Sequence, residues 1–215
     1  MRSKFDRELD KLNDELTQMG ELVSSKIVDS ISAFKHKDKE KAKIVLSSDN
    51  EVDEMERIIE KRALKLLLQQ QPVASDLRLI SSALKMITDM ERIGDQAADI
   101  AEITLSMSNF TKDKTFEIIM KMASLSIEMV KESIKSFVTG DLSLVDNIKE
   151  HDDKVDNYFR EVRDHVVEEL KTGESNPEYA ADLLMIAKYL ERIGDHAENI
   201  SEWVEFSITG EHKEK

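Results

Sequence analysis

Cysteine is absent from the 215 residues. That absence excludes disulfides, thiolate metal centres and cysteine nucleophiles. Only two prolines and six glycines interrupt a sequence rich in Leu, Ile, Lys, Glu, Met and Ala, so the expected class is all-α, made of long helices with little loop. Basic side chains are outnumbered, 31 Lys and Arg against 45 Asp and Glu, and the net charge of -14 argues against nucleic acid or an anionic lipid surface as a partner. Cations and basic protein surfaces fit better. Long apolar runs are missing too: nothing approaches the roughly 20 residues that span a bilayer. The opening Met1-Arg2-Ser3-Lys4-Phe5-Asp6 leads into a charged amphipathic stretch rather than the apolar core of a secretory signal. The expectation is a cytoplasmic protein without direct membrane insertion.

What the chain does contain is itself, twice. Glu91-Arg92-Ile93-Gly94-Asp95-Gln96-Ala97-Ala98-Asp99-Ile100-Ala101-Glu102 reappears from Glu191 to Glu202 with eight of twelve positions identical. Further upstream the offset is 103 rather than 100: Ser30-Ile31-Ser32-Ala33-Phe34 matches Ser133-Ile134-Lys135-Ser136-Phe137, and Asp49-Asn50-Glu51-Val52-Asp53 matches Asp152-Asp153-Lys154-Val155-Asp156. The change of offset falls around Pro72 and Pro177, where insertions belong in turns. The two units divide as residues 1–109 and 110–215.

Each unit reads as three helices. Phe5, Leu9, Leu12, Leu16, Met19, Val23, Ile27 and Ile31 recur at threes and fours and mark the first. Asp38 can cap the second, whose apolar line runs from Val45 to Leu66, and Asp141 holds the equivalent cap position after Gly140. Pro72 and Pro177 suit the first turn of the third, where a missing N–H costs nothing. Short connections make neighbouring helices antiparallel, so the predicted architecture is two tandem up-down-up three-helix bundles packed side by side.

Four Asp/Glu-x-x-x-Asp pairs occupy matched positions: Asp49/Asp53 and Glu91/Asp95, then Asp152/Asp156 and Glu191/Asp195. Residues four apart share a helix face about 5–6 Å apart, where two like charges repel unless a cation sits between them. One such pair means little in so acidic a chain, but recurrence in both units does. Around an antiparallel turn, the centres of the first two pairs stand equally far from Pro72, and the second set centres on Gly173, so each two pairs should meet level across adjacent helices. Convergent carboxylates without cysteine suit hard or borderline cations. Glu91 and Asp95 lie nearly opposite Ile93 and Ile100, which puts any such site on the bundle surface. Gly94 and Gly194, inside strongly helical sequence, cost roughly 1 kcal/mol each against alanine; tight helix packing is the favoured compensation. His196, whose counterpart is Gln96, reads as a surface histidine.

In these residues, together with Phe5-Asp6-Arg7-Glu8-Leu9, Met19-Gly20 and Gln70-Gln71-Pro72-Val73-Ala74-Ser75-Asp76-Leu77-Arg78, the whole chain resembles the PhoU family of phosphate transport system regulators. The resemblance implies a non-catalytic adaptor, usually a homodimer, that restrains phosphate uptake and phosphate-starvation signalling between a phosphate ABC transporter and a sensor histidine kinase. It also implies metal clusters, with iron, zinc, magnesium or manganese, on Asp49, Asp53, Glu91, Asp95, Asp152, Asp156, Glu191 and Asp195, with Asp99 and Asn199 as second-tier ligands. The competing reading, a carboxylate-bridged di-metal enzyme, is disfavoured because such enzymes carry inward-facing Glu-x-x-His pairs and this chain has none. Walker loops and nucleophile elbows are missing as well.

Overall fold

The computed structural model describes residues 2–48, 50–69, 72–108, 110–173 and 176–211. These form seven helices: α1 Arg2–His36, α2 Lys39–Ser47, α3 Asn50–Gln69, α4 Ala74–Ser106, α5 Lys114–Thr139, α6 Ser143–Thr172 and α7 Pro177–Thr209. No strand occurs among the described residues. Asp38 does cap α2, accepting from the Lys41 backbone N–H at 3.0 Å, and Pro177 is the first residue of α7 behind the capping amide of Asn176. Left-handed glycines, Gly140, Gly173 and Gly210, close α5, α6 and α7, as positive φ costs no steric clash without a Cβ.

Three details differ from the expected pattern. The second limb of the first unit is broken into α2 and α3 at Ser48, whereas α6 is continuous at the matching level. Ser47-Ser48-Asp49-Asn50 is a run of residues that compete with the helix for backbone hydrogen bonds, which explains a break without Gly or Pro. Pro72 stands before Val73, the N-cap of α4, and so outside its first turn. Asp141 lies one residue ahead of the N-cap Leu142, although its carboxylate still accepts from the Ser143 N–H at 3.0 Å. Asp49, Gln70, Gln71 and Asn109, which the sequence assigns to a carboxylate pair, a turn and a unit boundary, lie outside the described residues.

One apolar core runs through both units, from Leu12, Leu16 and Met19 on α1 through Met86, Met90 and Ile93 on α4 to Ile186, Leu190 and Ile193 on α7. Helices α1, α4, α5 and α7 supply its centre, with α3 laid against α1 and α4 and α6 against α5 and α7. Like helices meet like across the middle. Asp89 of α4 faces His196 of α7, while Lys85 of α4 sits 5.9 Å from the Trp203 ring, so residue number rises on one helix as it falls on the other. The pairing of α1 with α5 is antiparallel by the same criterion: Phe34 meets Phe116 with ring centroids 5.4 Å apart, and Gly20 meets Ile134. A Cβ on Gly20 would stand 2.8 Å from Ile134, closer than packed atoms approach, so a larger residue there would force the isoleucine side chain to shift. The units are therefore related by an approximate two-fold axis.

Candidate metal-binding grooves

Both ERIGD segments sit mid-helix and turn their glycine towards the neighbouring helix. A Cβ on Gly94 would lie 3.3 Å from the Val52 methyls of α3, and one on Gly194 would lie 3.3 Å from Asp152 Oδ1 and 3.5 Å from Val155 of α6. Tight packing is thus what the glycines provide, and the burial of Val52 and Val155 offsets their helix-propensity cost. The same contacts set the level of the carboxylates. Asp53 on α3 stands opposite Glu91 and Asp95 on α4; Asp152 and Asp156 on α6 stand opposite Glu191 and Asp195 on α7. With Asp49 outside the described residues, three members of the first set are placed and all four of the second.

These side chains point away from the core, as the periodicity predicts, and most are half-buried in grooves between helices, while Asp195 is exposed. Glu91 and Glu191 keep only 20 % and 15 % of their side-chain exposure. Crowding has an electrostatic signature. Burial, and then the charge of Asp95, raises the Glu91 carboxyl above its ordinary range. Burial raises Asp195, with Glu191 adding to it. Asp152 is affected most: burial first, then the charges of Glu198, Asp195 and Asp156, push it up to about 7. In each groove the described carboxylates crowd one another and share the penalty of burial.

Exposed cations partly supply the deficit from the rim. Arg92 reaches Glu91 at 3.3 Å and Asp95 at 3.2 Å, Arg160 reaches Asp156 at 3.1 Å, and Lys188 donates to Glu191. With these pairs made, no three His, Asp or Glu side chains among the described residues converge on one point that could hold a metal ion. The donor set itself is all oxygen, which matches hard divalent cations. Two acidic residues that the pair pattern misses belong to the grooves as well. Glu198 is the largest charge acting on Asp152, and Glu56 is itself raised by burial and by Glu60 and Asp53. A search at i+3 from Asp53 and Asp195 would have found both.

Asp99 and Asn199 lie along the α4·α7 seam. Asn199 donates to Asp89 at 3.3 Å. Burial raises Asp99, opposed by the nearby Tyr189 hydroxyl. His196 is half-buried rather than a surface residue: its Nδ1 is 2.9 Å from Asp89 Oδ1, so the two-fold pairing of the units hides it.

The family model described as PhoU domain matches residues 16–104 and again 119–204. This chain belongs to the PhoU family. Among its relatives, a "phosphate-specific transport system accessory protein PhoU homolog" of Clostridium acetobutylicum is 31 % identical over 97 % of the chain and 96 % of the relative. The Thermotoga maritima PhoU homolog 1 is 34 % identical over 97 % and 90 %. Two crystal structures of PhoU proteins superpose on the fold. That from Pseudomonas aeruginosa has a TM-score of 0.92 at 30 % identity, covering 96 % of this chain and 100 % of the other. That of the phosphate transport system regulatory protein from Streptococcus pneumoniae has a TM-score of 0.90 at 27 % identity, covering 98 % and 100 %. One PhoU match falls within the stretch from α1 to α4 and the other within that from α5 to α7. No helix among the described residues is long and apolar enough to cross a membrane.

Proposed function

We propose that this PhoU chain is a non-catalytic accessory regulator of phosphate transport, which restrains uptake and phosphate-starvation signalling when phosphate is plentiful. The observation that carries this reading is likeness over the whole length to proteins named as phosphate transport accessories, in both units and at 30 % identity or more. Its partners are a phosphate ABC transporter and a sensor histidine kinase, met as a cytoplasmic homodimer through exposed helical faces. The acidic charge of the chain favours basic patches on those partners. Divalent or trivalent metal, whether iron, zinc, manganese or magnesium, bound by the groove carboxylates would neutralise the surplus negative charge and fix the spacing of α3 to α4 and of α6 to α7. Asp53, Glu91 and Asp95 would hold it in one groove, Asp152, Asp156, Glu191 and Asp195 in the other.

Expression of the chain in a bacterium deleted for its own PhoU protein tests the reading. Repression of a phosphate-starvation reporter in high phosphate should return, and the tagged chain should retain the transporter from detergent extract. A reporter that stays derepressed, with the chain folded and abundant, refutes the role. Glu91→Gln/Asp95→Asn combined with Glu191→Gln/Asp195→Asn then asks whether the grooves take part: metal content by elemental analysis should drop at least tenfold.

A further inference from the structure

The segment Val73-Ala74-Ser75-Asp76-Leu77-Arg78, at the tip of the α3–α4 hairpin, takes no part in the grooves. Its arginine lies across the end of α7. Arg78 Cδ, Nε and Cζ stand 3.4 to 3.5 Å from where a Cβ on Gly210 would be, so the guanidinium rests on the glycine that closes that helix. Its Nε is shut off from solvent without a hydrogen-bond partner, and no carboxylate among the described residues pairs with it. Asp76, close by in sequence, is occupied with the Val73 N–H, from which it accepts at 3.2 Å. In a chain with 45 acidic residues, a guanidinium that gives up water on one side and gains no anion stands out, because such desolvation is costly unless something repays it.

The surface around this tip is apolar. Leu64 and Leu68 on the last turns of α3, Val73 and Leu77 at the start of α4 and Ile208 at the end of α7 are all exposed, Leu68 to 85 %. Single exposed leucines need no explanation, but a cluster of them with an unpaired arginine has the make-up of an interaction site. The second unit does not repeat it: Lys171 stands where the first unit has Leu68, Pro177 where it has Leu77, and Glu178 where it has Arg78.

Whatever covers the tip must bring an anion for Arg78 and apolar side chains for its neighbours. A free anion would leave the leucines in water. Nucleic acid and anionic lipid are opposed by the net charge of -14, and a symmetric dimer centred on the tip would set Arg78 against its own copy. A protein segment that presents Asp or Glu among apolar residues meets both requirements.

We propose that the α3–α4 tip, anchored by Arg78, docks an acidic and apolar segment of the phosphate transporter. The inference rests on the accessory role proposed above and locates on the chain the contact that role requires; of the two partners named there, the transporter is the one that likeness to transport accessories supports.

Binding of the full-length chain to purified transporter in detergent, read by biolayer interferometry, provides the test. Arg78→Glu and Leu68→Ser should each raise Kd by about tenfold or more, while Lys171→Ser and Glu178→Gln at the second tip should leave it within about twofold. Leu68→Ser alters a side chain that packs on little, so its thermal melt should match that of the natural chain; Leu77→Ser joins it if Arg78→Glu is misfolded by circular dichroism. Unchanged affinity in the folded first-tip variants, or equal weakening by the variants of both tips, overturns the site. Cosedimentation with phosphatidylglycerol vesicles that Arg78→Glu and Leu68→Ser abolish would overturn it in favour of a lipid surface, and dissociation of a dimer by the same changes in sedimentation velocity would do so in favour of a second copy. No binding of the natural chain to the transporter instead overturns the partner reading on which the site stands.

Discussion

The first and second units share a backbone plan and differ in what neutralises them. In the first, Arg62 of α3 clasps Glu15 of α1 through two hydrogen bonds of 2.6 Å and Glu8 through a third of 2.7 Å. The matching residues of the second unit are His165 and Ile118, and Ile118 is simply buried. Lys26 against Met129 repeats the contrast: both are buried, but Lys26 donates to the Ser48 carbonyl and Met129 is apolar. What the copies hold in common at the α3·α4 and α6·α7 crossings is a glycine, Gly94 and Gly194, whereas Gly20 at the α1·α5 crossing is matched by Ala123. Charge placement is free to diverge because several arrangements satisfy the same fold.

The most damaging test of that view is steric. Valine at Gly94 or Gly194 must push α3 from α4 or α6 from α7, and each change should cost about 3 kcal/mol of stability in urea unfolding, since overpacking a close crossing forces backbone shifts. Equal losses support a shared constraint. A large loss at one position and none at the other would show that only one crossing depends on its glycine.

A smaller effect, of opposite sign, is expected at Asp152. Its carboxyl has a folded-state pKa of about 7 against an ordinary 3.8, so the folded state binds more protons than the unfolded state between those values. Stability of metal-free protein should therefore fall as pH rises from about 4 to 7 and level off above. Asp152→Asn should flatten this dependence and stabilise the chain at pH 8 by on the order of 2 kcal/mol, given the partial reach of solvent. A thermal melt series from pH 5 to 8 reads both. Destabilisation by the asparagine at pH 8 would mean that the carboxylate has a cation or donor partner in solution.

The smallest expected difference is ionic. Arg62→Met should lose about 1 kcal/mol, with the loss shrinking in 1 M salt, because the guanidinium and Glu15 are partly shielded but still reach solvent. His165→Met should be neutral within error in the same denaturation assay. Equal losses would imply that the second unit ties α5 to α6 by a contact the first unit lacks.

Much of this organisation was legible beforehand. Helix-period stripes such as Leu12, Leu16, Met19 and Val23 became core because a 35-residue amphipathic helix has no other stable way to hide that face. Turn symmetry about Pro72 and Gly173 set the carboxylate-bearing stretches of α3 and α6 roughly level with the two ERIGD segments, where Val52 packs on Gly94 and Val155 on Gly194, because antiparallel helices joined by a short turn have little freedom of register. Contacts between the units left no local trace. Nothing around His196 announces Asp89, 107 residues away, and periodicity cannot say whether a buried stripe faces its own unit or the other. The periodicity reading passed over Lys26, which is buried and donates to the Ser48 carbonyl at the end of α2.

The seam where α4 meets α7 and α1 meets α5 is one that separate chains could make, since each half presents the same pair of helices to the other. Held apart, such halves would associate according to their concentration. Joined by the short connection between α4 and α5, they face each other at an effective concentration on the order of millimolar or higher. Tandem fusion also releases the halves from identity: in a symmetric pair every substitution appears twice, whereas here Arg62 can clasp Glu15 in one half while a buried Ile118 stands in the place of Glu15 in the other.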